Sequence, residues 1–113
     1  MKDYASMSDQ QINREVQKIT GIGCMSGNGV LIISDGRWRK FDPCNNPADA
    51  WPIILQNRIS VIFDSSDESD ESEESDEWVK ACVGGEEYFI SYHYCHRALR
   101  AAMVAFLMMK EGE

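Results

Sequence analysis

The apolar residues change their spacing several times along the chain, and each change marks an element. Ile12, Val16 and Ile19 recur at helical spacing while Asn13, Arg14, Glu15, Gln17 and Lys18 cover the other side, which predicts a short amphipathic helix. Ser8-Asp9-Gln10-Gln11 before it reads as a capping box, with Ser8 accepting from the amide three residues on and Gln11 reaching back. Gly21 and Gly23 end the helix, and residues 24–29 read as a Gly/Ser/Asn loop. The β-branched run Val30 to Ser34, the turn pair Asp35-Gly36 and the alternating Arg37 to Phe41 predict a hairpin with a type I′ turn.

Asn46-Pro47 follows as an N-cap with proline at the first helical position, and Asp49 falls where a carboxylate favours a helix N-terminus. Pro52 is expected to kink or restart that helix, because its ring crowds the carbonyl four residues back. Ile59 to Phe63 reads as a third strand. Trp78 to Val83 and Glu86 to Tyr92, joined by Gly84-Gly85, read as a second hairpin. His96 to Lys110 is apolar on most sides, as in the buried centre of a domain or a dimer interface. The order α-β-β-α-β-β-β-α predicts an α+β domain spanning 1–113, with an antiparallel sheet of about five strands and two or three helices packed on it.

Charge changes the picture in one place. The formal net charge is −8, but residues 64–77 alone hold nine acids and five serines, leaving +1 for the other 99 residues. The acidity belongs to one Ser/Asp/Glu segment that cannot bury a core and is expected to be a disordered loop. A solubilising insertion is its plainest reading, because lengthening a loop costs little. Mimicry of a polyanion and loose binding of divalent cations are the alternatives. The near-neutral remainder lacks a basic nucleic-acid footprint, so no direct contact with nucleic acid is expected.

The four cysteines form no C-x-x-C pair, and the polar opening Met1-Lys2-Asp3-Tyr4 runs straight into a helix signal. Free thiols in a cytosol are the expectation, with no membrane association. His93, Cys95 and His96 invite a metal, yet no recognised ligand spacing accompanies them, and neither metal nor cofactor is expected. No nucleophile–base or acid–base pair can be placed by spacing, which argues against an enzyme.

The most unusual local sequence is Asn45-Asn46-Pro47-Ala48-Asp49-Ala50-Trp51-Pro52. Each residue there has a capping or packing job available to it. The functional alternative is a rim of amides and a carboxylate beside an indole, in which Asn45, Asn46, Asp49, Trp51 and Arg100 hold a polar, nucleotide-like ligand.

That string, within Phe41 to Ile54 and followed by Ile59-Ser60, resembles the NinX-like proteins of lambdoid and related phages. Leu99 to Met109 is similar to that family's ending, and Tyr4, Ser8, Asp9, Ile12 and Asn13 fit its start. The acidic middle has no counterpart there. At Ala98, where the family often has proline, alanine lets the last helix begin earlier. The resemblance implies a small phage accessory protein of unknown function in the host bacterial cytoplasm, and no chemistry. With the missing catalytic motif, it leads to a non-enzymatic protein that binds and modulates a host protein, counter-defence among the roles. A homodimer through the C-terminal helix is a further expected association, and ligand sequestration is the alternative function.

Overall fold

The local signals near the N-terminus set the first layer. In the computed structural model, which describes residues 3–27, 29–65, 77–84, 88–92 and 97–112, a 3-10 turn at Tyr4–Ser6 precedes α1 (Asp9–Thr20). The capping box is formed: the Gln11 amide donates to Ser8 Oγ at 3.2 Å, and the Ser8 amide donates to Gln11 Oε1 at 2.8 Å. Gly21 ends the helix at φ +72°, a left-handed conformation that an L side chain resists.

The chain then enters β1 (Cys24–Ser26), β2 (Gly29–Ser34) and β3 (Arg37–Lys40), an antiparallel sheet in that order. Asp35 and Gly36 both have positive φ, as the type I′ turn requires, and Ile33 faces Trp38 across it. β1 lies in a stretch expected to be loop. It is a strand because its backbone pairs with β2, Cys24 opposite Leu31, rather than because its side chains favour extension.

Helix α2 (Pro47–Asn57) has Asn46 as its N-cap, with Asn46 Oδ1 accepting from the Ala48 amide at 3.0 Å. It runs through Pro52 without a restart. At the sixth helical position proline forfeits one intrahelical bond, to the Ala48 carbonyl, while the buried Ile53 and Ile54 anchor the next turn in the core. Arg58 closes the helix in the left-handed region, and the Ile59 amide returns to the Ile54 carbonyl at 3.0 Å.

A second antiparallel sheet follows, with β4 (Ser60–Ser65), β5 (Glu77–Val83) and β6 (Tyr88–Tyr92) in sequence order. Its pairing carries the ladder past the apolar residues: Asp64 faces Trp78 and Ser65 faces Glu77. Both ends of the expected acidic loop are therefore strand, because backbone pairing continues where the side chains have turned polar, and residues 66–76 lie outside the described residues. Among the described residues, six strands in two small sheets thus replace the single sheet of about five, within the same α+β class.

Helix α3 (Ala98–Gly112) packs on β5 and β6 and against α1 and α2. Val79, Ala81 and Val83 alternate toward it, with Val61, Ile90 and Tyr92 on the same face by register. Met103, Val104, Phe106 and Leu107 are buried, each contributing about 1.5–3 kcal/mol. α3 is the buried centre of the fold, and Met108 and Met109 in its last turn are half-buried. No helix among the described residues is long and apolar enough to cross a membrane.

Candidate functional site

The polar side chains of the interior gather around Asp9. The capping box fixes Asp9 as the first residue of α1, where its carboxylate meets the start of α3. Arg97 places Nη2 2.6 Å from Asp9 Oδ1 and Nη1 3.2 Å from Oδ2. Arg100, 4% exposed, donates from Nη1 to Asp9 Oδ1 at 2.7 Å, from Nε to the Tyr92 hydroxyl at 3.1 Å, and from Nη2 to the carbonyls of Tyr4 and Met7. One guanidinium thus ties the N-terminal turn, α1, β6 and α3 together.

The network continues through the segment between β3 and α2. Asn45 Nδ2 donates to Asp9 Oδ2 at 3.1 Å and to both Asp42 carboxylate oxygens at 3.2 Å. Asn13, expected on the exposed side of α1, is instead 2% exposed. Its Nδ2 donates to Asp42 Oδ1 at 2.8 Å, and its Oδ1 accepts from the Cys44 amide at 3.3 Å. The Asp42 amide donates in turn to Asp49 Oδ2, and Arg39 closes the chain as a two-pronged donor to Asp49 at 2.6 and 2.9 Å.

The five residues singled out from the sequence are therefore dispersed. Asn45 and Arg100 share Asp9, whereas Asp49 joins them only through Asp42. Asn46 caps α2, and Trp51 stands exposed on that helix. Asp9, Asn13, Arg39, Asp42, Tyr92 and Arg97 belong to the network without having been singled out. A buried asparagine on an otherwise polar helix face leaves no mark in the sequence. Arg39 alternating with Trp38 is a visible cue to a strand, but alternation does not say which carboxylate the guanidinium meets.

Electrostatics follow from this pairing. Burial works against the Asp9 charge, but bonds from Arg97, Asn45 and Arg100 outweigh it and hold its pKa down to about 2. Burial likewise opposes the Arg100 charge, and Tyr92 and Asp9 more than restore it. The bonds to Asp49 hold the Arg39 guanidinium above its ordinary range. Burial pushes the Cys44 thiol up to about 12, far from a reactive thiolate. A carboxylate fixed in its ionised form is a poor proton donor, and a thiol held neutral is a poor nucleophile. What the arrangement does well is fasten the N-terminal turn, α1, β3, α2, β6 and α3 together.

A shallow cleft of about 590 Å³ opens beside it, lined by Ser8, Asp9, Tyr92, Arg97 and Arg100. The guanidinium groups there are engaged with Asp9 and its neighbours. Among the described residues no three His, Cys, Asp or Glu side chains gather to hold a metal ion, and His93, Cys95 and His96 lie outside those residues. Cys24, Cys44 and Cys82 are free thiols.

Residues 3–110 match the family model described as bacteriophage P22, NinX. This chain belongs to the phage P22 NinX family. The matched span includes every residue of the polar network. The fold is similar to that of a phage protein from Bacillus cereus ATCC 14579 known from a crystal structure. That likeness has a TM-score of 0.51 at 21% identity and covers 96% of this NinX family chain and 93% of the other. No curated protein matches it.

Proposed function

We propose that this NinX family member is a non-enzymatic accessory protein that binds a host protein in the bacterial cytoplasm through the outer face of its β2–β3 hairpin. One observation carries the reading. Leu31 and Ile33 alternate onto one face of β2, and Trp38 lies opposite Ile33, yet Ile33 and Trp38 are each 58% exposed. An uncovered cluster of this kind, with Lys40 opposite Leu31 on the same face, has the make-up of an interface core with a charged edge. Tryptophan is also a frequent energetic anchor at interfaces.

The polar network supports the same reading from the other side. Its carboxylates and guanidinium groups face one another, which leaves the fold little with which to do chemistry. Arg100 lines the cleft beside Asp9, whereas Asn46 caps α2 and Trp51 stands exposed on that helix, so the nucleotide-like ligand reading has weaker support.

Site-specific photo-crosslinking in host cells tests the proposal. A benzophenone side chain at position 38 should yield a discrete adduct, and the same group at Lys18 on α1 should not. An Ile33→Ser substitution should reduce the adduct at position 38. Equal, diffuse labelling from both positions would refute the assignment of the hairpin face.

A further inference from the structure

A second cavity, remote in character from the Asp9 network, opens where the N-terminal turn, β6 and the end of α3 meet. It has a volume of about 450 Å³, within the range of small-molecule sites. Buried Val104 and half-buried Ile90 and Met108 make its surface mainly apolar. Tyr4 and Tyr88 add aromatic rings. Among the described residues, the charged side chains that line it, Asp3 and Glu111, are both carboxylates.

Two details show how the groove is built. The Tyr4 hydroxyl donates to Glu111 Oε2 at 2.7 Å, which orients that carboxylate against the cavity. At Gly112, a Cβ would lie 2.5 Å from the Tyr88 hydroxyl and 3.0 Å from its ring carbons. The missing side chain lets the Tyr88 ring lie against the end of α3 and line the groove.

We propose that this groove binds a small organic cation with an apolar body, an alkyl- or arylammonium compound. Its ammonium group lies near Glu111 and Asp3 with the tyrosine rings beside it, and its hydrocarbon lies on Ile90, Val104 and Met108. Aromatic faces and carboxylates both attract a cation, and the attraction strengthens as water is excluded. An anion of the same shape meets two like charges instead. The inference is independent of the hairpin reading, since it concerns a different surface and a different class of ligand.

The test uses 4-phenylbutylammonium, 4-phenylbutanol and 4-phenylbutyrate as probes on full-length protein with ¹³C-labelled methionine methyls. The Met108 signal is assigned by Met108→Leu. The ammonium probe should shift the Met108 methyl saturably, with the alcohol and the carboxylate about ten-fold weaker or worse. Glu111→Gln, which retains an acceptor for Tyr4, should remove most of that preference. Ala5→Trp, at an exposed lining position, should block binding of all three. A Met108 methyl that does not respond saturably to the ammonium probe overturns the site. An alcohol that binds as tightly as the ammonium overturns the cation assignment.

Discussion

Replacing Asp9 by Asn tests the network at its centre, because the change keeps the side chain's shape and removes its charge. The carboxylate accepts from Arg97, Arg100 and Asn45, and its Arg100 partner is nearly buried. Breaking a fully buried pair by removing one partner costs about 3–5 kcal/mol. Here Asp9 and Arg97 each keep 26% of their side-chain surface in water, so solvent screening lowers the expectation to about 2 kcal/mol at pH 7. The displacement of the Asp9 pKa from 3.8 to about 2, discounted for the same solvent screening, sets about 2 kcal/mol as an upper figure.

Because that pKa is lower in the folded than in the unfolded chain, the stabilisation is complete above about pH 5 and fades as pH falls toward 2. At pH 3 about half of it is gone, so the penalty of Asp9→Asn should shrink to about 1 kcal/mol. Urea unfolding of both proteins at pH 7 and pH 3, followed by far-ultraviolet circular dichroism, measures this. A penalty equal at the two pH values would show that Asp9 acts through packing, and the electrostatic account would be wrong.

Other substitutions probe the local devices. Asn46→Ala removes the cap of α2 and should cost about 1 kcal/mol in the same urea assay. Gly21→Ala meets no neighbour within 4 Å but must hold φ +72°, so the loss of about 1 kcal/mol comes from backbone strain alone. Met103→Ala opens a cavity in the buried face of α3 and should cost about 2–5 kcal/mol. With a thiol-specific chromogenic reagent at neutral pH, Cys24 should react promptly, while Cys44 should wait for unfolding, being buried with its thiol pushed up to about 12.

What the sequence revealed was whatever a few adjacent residues decide. Ser8 with Gln11, Asp35 with Gly36 and Asn46 with Pro47 each satisfy backbone groups within a single turn, so their geometry follows from identity and spacing. The long-range partners could not be read in that way. Asp9 meets Arg97 and Arg100 across 88 and 91 residues, and nothing near Asp9 distinguishes it from an ordinary first-turn acid. β1 escaped for the same reason, since a three-residue strand is decided by its neighbour. The division into two sheets reflects which strands pair, and the alternation of a strand's side chains does not specify its partner. Asp49 was legible as a carboxylate suited to a helix N-terminus, but not as the acceptor for Arg39.

The pairing of charges also bears on how a partner would be held. With Arg39, Arg97 and Arg100 committed to Asp49 and Asp9, the folded part offers few strong electrostatic handles, and affinity at the hairpin has to come mainly from apolar contact. Leu31, Ile33 and Trp38 are too few to fill a stable interface alone, which commonly buries about 800 Å² on each partner. A partner must therefore reach past them. Lys40, opposite Leu31 on the same face, adds a charge at the edge, where it affects the rate of encounter more than the strength of the complex. Trp51 and Leu55, one helical turn apart and both exposed on α2, form a further apolar pair. On the proposed reading, the uncovered aromatic and aliphatic side chains of the hairpin therefore carry most of the contact.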